Sequence, residues 1–183
     1  MRNKFKEKLL LYKIKAKHDP DAFGEIYDEY AEKIYRFIFF KVSSEQEAED
    51  LSSEVFLKAW NYLIGEKPVK SIGALLYTIA RNRVIDYYRQ RKAEIEITED
   101  MAKIMPDDGS IAELEKKADL GRVYKALGKL KDEYREIVVM RYLDDLSVSE
   151  ISSIIQKTQN NVRVLLHRSI STLKDILEEE DNQ

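Results

Sequence analysis

The side chains best suited to bind a nucleic acid lie near the end of the chain, in QNNVRVLLHRSISTLKDIL, residues 159–177. On a helical wheel this stretch separates into an aliphatic side and a polar side. Guanidinium groups can donate paired hydrogen bonds to guanine or phosphate, and carboxamides can pair with adenine at the major-groove edge. The outward positions are Asn160, Val164, His167 and Ser171, flanked by Arg163 and Arg168. The pattern alone also fits the solvated face of an ordinary helical hairpin.

A second basic cluster, ARNRVIDYYRQRK, interleaves cations with two tyrosines. Unpaired bases stack on aromatic rings while neighbouring cations neutralise the backbone, so this composition favours single-stranded nucleic acid. The alternative is a surface helix whose tyrosines belong to the core. The cluster contains Arg81, Arg83, Arg89, Arg91 and Lys92 with Tyr87 and Tyr88.

An acidic stretch, EQEAEDLSSE, has five carboxylates in ten residues. A metal or paired-carboxylate active site is one reading, but the stretch lacks the Glu-x-x-His pattern of di-iron bundles and has no phosphate-binding loop. An acidic binding surface is favoured instead. Phe56 and Trp60 are expected on the side of the same helix opposite Leu51 and Val55, as a second core face or as an anchor for a partner.

Residue types exclude several kinds of site. The chain has no cysteine, and its two histidines, His18 and His167, are far apart. Disulfides, thiol nucleophiles and cysteine-ligated metals are therefore excluded, and the sequence predicts no metal, no cofactor and no catalytic residue. No apolar run approaches the ~20 residues of a membrane span, and the start lacks a small-residue cleavage site. We expect a cytoplasmic protein without membrane insertion.

Helical periodicity dominates residues 1–93, and no strand pattern is evident. Asp19-Pro20 predicts the start of a first amphipathic helix, and a second runs from about Ser44. A third is predicted over 72–92. The first helix carries Phe23, Tyr27, Tyr30, Ile34 and Phe37 at helical spacing, and the second a stripe of Ala48, Leu51, Val55, Lys58 and Tyr62.

Charge divides the chain into modules. Residues 1–93 hold 18 basic and 14 acidic side chains, and residues 122–174 hold 10 and 6, whereas residues 94–121 hold 3 and 9. The tail from Asp175 has five acids and no base. This pattern, with the turn composition MPDDGS, predicts an all-α protein of two small helical domains, 1–93 and 113–183, joined by a flexible acidic linker over 94–112.

Four helical pieces are predicted in the second domain, over 113–129, 132–142, 147–155 and 158–178. The third opens with SVSE, in which Ser147 and Glu150 can form a capping box. The short helix, the turn and the longer helix from Gln159 have the proportions of a helix-turn-helix.

Three segments, in this order, resemble bacterial RNA polymerase sigma factors of the extracytoplasmic-function (ECF) group, within the sigma-70 family. AEDLSSEVFLKAW resembles the polymerase-binding helix, LLYTIARNRVIDYYRQRK the promoter-melting and minus-ten helix, and LSVSEISSIIQKTQNNVRVLLHRSISTL the minus-thirty-five helix-turn-helix. ALGKLKDEYREIVVMRYLDDLS also resembles the run before that motif. The resemblance covers nearly the whole chain and implies a sigma-two-like and a sigma-four-like domain without a catalytic site.

The resemblance implies specific contacts. Polymerase-binding positions facing the clamp helices of the largest subunit are Asp50, Ser53 and Glu54. Minus-ten positions are Arg81, Asn82, Arg83, Asp86 and Arg89, and the loop NYLIGEKPVKS corresponds to the base-capturing segment. Minus-thirty-five positions are Asn160, Asn161, Arg163, His167 and Arg168. The implied partners are core RNA polymerase, including the flap of its second-largest subunit, promoter DNA and an anti-sigma factor, with no small-molecule substrate.

Several positions depart from the family pattern. Its turn has glycine and then an aliphatic residue, where this chain has Gln156 and Lys157. A left-handed Gln156 carries a conformational cost, and the loss of a packing residue at Lys157 predicts a looser turn. The family often has arginine where Leu165 stands and glutamine where Ser53 stands.

Three rival functions remain open from the sequence. One is a helix-turn-helix regulator that binds DNA without replacing the sigma subunit, and another is a carboxylate-metal enzyme on a helical bundle. The third is a regulator that binds polymerase but has lost promoter recognition. The charge pattern adds a hypothesis that the acidic linker and tail compete with DNA for the basic faces.

Overall fold

The structure, a computed structural model, describes residues 4–42, 44–65, 68–97 and 118–181. These residues form helices and turns and contain no strand, which confirms the all-α prediction. The chain forms two compact units. The first comprises Met1–Ile38 and Gln46–Met101, and the second Phe39–Glu45 and Ala102–Gln183.

The first helix, α1, spans Lys4–Lys17, ahead of the segment in which the sequence pattern places the first helix. That prediction is wrong because α1 has apolar side chains on two opposite faces, so no single stripe is visible. Leu10, Leu11 and Ile14 are buried, whereas the apolar side chains of the other face are exposed.

The predicted start at Asp19-Pro20 is confirmed as the beginning of α2, Pro20–Val42. The Asp19 carboxylate accepts hydrogen bonds from the backbone N–H of Asp21 at 3.0 Å and of Ala22 at 3.2 Å, as an N-cap does. Tyr30, Ile34 and Phe37 of the predicted stripe are buried. Tyr27 is a correction: it is exposed at the edge of the core, with its ring 4.7 Å from that of Phe56.

Helix α3, Glu45–Leu63, has a wider buried face than predicted. Lys58 is exposed and is not part of the core stripe, whereas Phe56 is buried. The Trp60 ring is half-buried and meets Phe23 edge-on at 5.2 Å, which confirms a second core face. The buried residues are Ala48, Leu51, Ser52, Val55, Phe56, Ala59 and Leu63.

Helix α4, Ile72–Ile97, begins as predicted and runs five residues further. Its start is held by two side chains, since Ser71 Oγ accepts from Ala74 N at 3.3 Å and the Glu7 carboxylate of α1 accepts from Ile72 N. The first four residues of the predicted linker, 94–97, belong to this helix, which corrects that part of the prediction, and the linker from residue 98 onwards lies outside the described residues.

The second unit contains α5 (Ala118–Lys129), α6 (Asp132–Val138), α7 (Val148–Ile155) and α8 (Gln159–Asp181). The predicted residues 113–117 are outside the described part. A π-helical turn, Val139–Leu143, follows α6, so the predicted single helix over 132–142 changes its hydrogen-bond pattern midway. Helix α8 packs against α5, α6 and α7, which positions its outer face.

Candidate nucleic-acid and polymerase interfaces

The N-terminus of α7 is capped as predicted. Ser147 Oγ accepts a hydrogen bond from Glu150 N at 3.2 Å, and the Glu150 carboxylate accepts one from Ser147 N at 2.9 Å. Both members of the capping box are therefore present, and they satisfy two backbone donors that would otherwise lack partners. The cap therefore stabilises the start of α7.

The turn between α7 and α8 depends on Gln156, whose backbone is left-handed at φ 55° and ψ 39°. A side chain in this conformation is strained, which is why the position favours glycine. Lys157 does not pack: its ammonium group pairs with Glu133 at 3.2 Å. Ser152 Oγ donates to the Lys157 carbonyl at 2.6 Å, so polar contacts hold this turn.

Helix α8 presents the predicted two faces. Val162, Leu166 and Ser169 are buried, and Ser169 Oγ donates to the carbonyl of Leu165 at 2.8 Å. A serine is tolerated inside because this bond satisfies its hydroxyl. The exposed side chains are Asn160, Asn161, Arg163, Val164, His167, Arg168 and Ser171.

One guanidinium on this face is already oriented, since Arg163 donates to Asn160 Oδ1 at 3.0 Å. Arg163 and His167 also border a surface groove that includes the exposed ring of Tyr142. Lys174 lies further along the groove and was missed by the sequence reasoning, although its spacing from His167 puts it on the same side of the helix. The basic stripe is therefore longer than predicted.

The acidic tail continues α8. The helix ends at Asp181, so residues 175–181 extend along the axis that also carries Arg163 and Arg168. A straight helix cannot fold back onto its own side. These tail residues therefore do not cover the basic face of α8, and the linker part of the competition hypothesis lies outside the described residues.

The acidic face of α3 contains the three predicted polymerase-binding residues, all exposed: Asp50, Ser53 and Glu54. The structure adds Leu57, which is 64% exposed and lies one turn beyond them on the same side. The sequence reasoning missed this residue, although its spacing of three residues from Glu54 and four from Ser53 places it on the same side of the helix. An apolar anchor rimmed by acids suits a protein partner.

The minus-ten residues on α4 differ in availability. Asn82 and Arg89 are exposed, whereas Arg81 and Asp86 are partly buried. The Arg83 side chain is only 18% exposed and pairs with Glu54 of α3, and it lies 3.7 Å from Asp86. Two residues predicted to contact different partners, DNA and polymerase, thus contact each other.

Tyr87 and Tyr88, the two tyrosines of the basic cluster on α4, are not fully buried in the core. Tyr88 is 46% exposed, and its ring meets that of Tyr87 at 5.2 Å. The Arg91 guanidinium lies 5.7 Å from the Tyr87 ring centroid and donates to its hydroxyl. Ile85, which the sequence reasoning missed, is also exposed beside them. Residues 66 and 67 of the predicted base-capturing loop lie outside the described residues.

Comparison with known proteins identifies the family of this chain. The family model described as Sigma-70 region 2 matches residues 26–94, and that described as Sigma-70, region 4 matches residues 120–173. SigW, an ECF RNA polymerase sigma factor of Bacillus subtilis, is 30% identical over 172 residues, covering 86% of this chain and 90% of SigW. The chain belongs to the ECF RNA polymerase sigma factors of the sigma-70 family.

Two further similarities support the assignment of this chain to the ECF sigma factors. BldN of Streptomyces coelicolor, an ECF RNA polymerase sigma factor, is 33% identical over 167 residues, and the alignment covers 87% of this chain but 61% of BldN. The solved structure of the Bartonella quintana sigma factor RpoE, in complex with the anti-sigma factor NepR, has the same fold. It has a TM-score of 0.64 and 21% identity, covering 84% of this chain and 97% of that one.

Family membership makes the protein a promoter-specific transcription initiation factor that binds RNA polymerase, and it disfavours the regulator that acts without replacing the sigma subunit. Within the described residues of this sigma factor, no group of three or more metal-ligating side chains could hold an ion. None of its described helices is long and apolar enough to cross a membrane.

Proposed function

We propose that the two units of this ECF sigma factor divide promoter recognition between them. The region over 1–93 binds core polymerase and the melted minus-ten element, the region over 113–183 binds the minus-thirty-five duplex, and the acidic linker over 94–112 joins them. The observation that carries the proposal is the outer face of α8. This face carries exposed cations, the opposite side of the helix is buried and apolar, and the turn before it is held by polar contacts.

The outer face of α8 supports duplex recognition. Arg163 and Arg168 extend from opposite sides of the exposed face, with His167 and Asn160 between them and Asn161 beside Arg168. Guanidinium groups in this arrangement can reach a guanine edge or the flanking phosphates, while a carboxamide can pair with adenine. Lys174, further along the helix, is placed for a phosphate contact.

The α3 face supports polymerase binding. Leu57 provides an exposed apolar anchor, and Asp50, Ser53 and Glu54 form a polar rim beside it. Buried apolar centres supply most of the binding energy at such surfaces, while acidic rims speed encounter with a basic partner. The clamp helices of the largest polymerase subunit are the proposed contact.

The α4 face supports contact with melted DNA. Exposed Tyr88 offers a ring on which an unpaired base can stack, and Asn82 and Arg89 are exposed on the same helix. Capturing a flipped base costs unstacking energy, so melting depends on such contacts. Arg83 takes part only after it leaves Glu54 and Asp86.

Regulation by an anti-sigma protein is part of the proposal. The similar RpoE has been solved in complex with the anti-sigma factor NepR. The face of α3 and that of α8 are both open to such a partner, which would block polymerase and promoter binding together. We place this protein in the cytoplasm, where core polymerase and the chromosome are, and assign it no catalytic step.

Run-off transcription from a library of promoter DNA, with purified core polymerase and with or without this protein, tests the proposal. We expect protein-dependent transcripts whose upstream sequences share two elements. The double variant Asp50→Lys/Glu54→Lys should lose most transcripts, whereas Asp28→Lys, an exposed acid on α2, should keep them. Duplex binding without any transcripts would contradict the proposal and favour the plain regulator.

A further inference from the structure

Helix α1 has an exposed apolar face that no part of the proposed function uses. Phe5, Leu9 and Tyr12 are 77%, 45% and 65% exposed, and Ala16 is exposed one turn later. The opposite side of the same helix is buried in the first unit. Helix α1 also lies outside residues 26–94 and 120–173, which match the two sigma-70 regions. An exposed stripe of large apolar side chains marks an interaction site.

The spacing of this stripe is that of a coiled-coil seam. Steps of four, three and four residues separate Phe5, Leu9, Tyr12 and Ala16, which are therefore consecutive d and a positions of a heptad. The positions that flank such a seam, e and g, decide which helices can pair with it. In α1 all four are lysine: Lys6, Lys8, Lys13 and Lys15.

The lysines exclude self-pairing and specify a partner's charge. Two copies of α1 would bring like charges together along both flanks, which is destabilising. Lys6 is already engaged with Glu25 at 2.9 Å, a hydrogen bond that raises the pKa of Lys6. Lys8 and Lys13, one on each flank, are therefore the cations that most directly select the partner.

We propose that the outer face of α1 docks an amphipathic helix of another protein, whose apolar a and d residues meet Phe5, Leu9 and Tyr12. Asp or Glu at the partner's e and g positions pair with the lysines. A helix that lies in a membrane surface has a wide apolar face, whereas this stripe is a narrow seam one side chain across, which favours a helix as the occupant.

The test uses the full chain and two synthetic peptides of several heptads, both with leucine at a and d. One has glutamate at e and g, and the other has lysine. Fluorescence anisotropy should show the acidic peptide binding about tenfold tighter or more, a difference expected from the charged flanks. Leu9→Asp should abolish this binding because it places a charge in the seam.

Exchange of the charges gives the decisive variant. Lys8→Glu/Lys13→Glu leaves two glutamates beside Lys6 and Lys15, and it should remove the preference, so that the acidic and the basic peptide bind with similar affinity. Lys58→Glu/Lys131→Glu makes the same charge change at exposed lysines outside α1 and should keep the original preference. Run-off transcription by the α1 variants should be unchanged, so this test is independent of the proposed function.

Two results would overturn the proposal. One is equal binding of the acidic peptide by the original chain and by Lys8→Glu/Lys13→Glu. The other is binding to vesicles containing phosphatidylserine, lost in Leu9→Asp, without discrimination between the peptides; that result would assign the face to a membrane surface.

Discussion

Helices α4 and α8 both carry arginines, yet they present them differently. On α8, Arg163 and Arg168 are exposed, and Arg163 is oriented by a neutral carboxamide. On α4, Arg83 is mostly buried between two carboxylates, Glu54 and Asp86. The charge of a side chain therefore does not show whether it can bind DNA, because an acidic side chain of a neighbouring helix can already pair with it.

The difference has a functional consequence. The α8 face can receive a phosphate or a base edge without breaking an ion pair. The α4 face must first release Arg83, and its partner Glu54 lies on the α3 face proposed for polymerase binding. Polymerase binding that withdraws Glu54 would free Arg83 for DNA, so we expect the two events in the first unit to be coupled.

The largest expected effect tests the exposed face directly. Arg168→Ala should weaken binding to the upstream promoter element by roughly 1–3 kcal/mol if the guanidinium contacts a base. Fluorescence anisotropy with duplex DNA measures this change. Lys131→Ala removes an equal charge at an exposed position before α6 and should have a much smaller effect. If Arg168→Ala binds the duplex as tightly as the original chain, Arg163 or His167 contacts the bases instead.

A smaller effect, on the free energy of unfolding, is expected when the N-cap of α7 is removed. Ser147→Ala breaks the capping box, and the free energy of unfolding should fall by about 1 kcal/mol, because a backbone N–H loses its acceptor. Urea unfolding measures the loss. Ser149→Ala, at an exposed position in the first turn of α7, is the matched control and should be nearly neutral. Equal losses in the two variants would mean that the cap is not the cause.

The strained turn should respond in the opposite direction. Gln156→Gly removes the left-handed strain and should raise the free energy of unfolding by about 0.5–1 kcal/mol, less than the strain itself because glycine loses more entropy on folding. Thermal unfolding detects the increase. Gln156→Ala keeps a Cβ at the same backbone angles and should show no gain; a gain there would point to the lost amide instead.

The smallest expected effect concerns the ion pair between Arg83 of α4 and Glu54 of α3. A double-mutant cycle of Arg83→Ala and Glu54→Ala should give a coupling free energy below about 1 kcal/mol, because the Glu54 side of the pair is solvated. Urea unfolding of the two single variants and the double variant measures it. A coupling of several kcal/mol would mean that Arg83 is a structural residue and not a releasable DNA contact.

The helix-turn-helix was predictable because its signals are local. Val162 and Leu166 repeat at helical spacing, and the capping box lies within four consecutive residues. Helix α1 was not predictable in the same way. Its apolar residues lie both on the exposed seam and on the opposite buried face, so the helix has no single apolar stripe opposite a polar face for a periodicity search to detect. The π-helical turn after α6 has no local sequence signature, so the break in the predicted helix over 132–142 could not be foreseen.

The sequence by itself determined the all-α class, the order of the helices from α2 onwards and the inward and outward sides of α8, because each depends on spacing within one helix. Only the tertiary structure decided that Arg83 pairs with Glu54 and that the α1 seam is uncovered. These depend on which helices become neighbours. Contacts between residues far apart in the chain leave no periodic trace in either segment, so a helical wheel cannot show them.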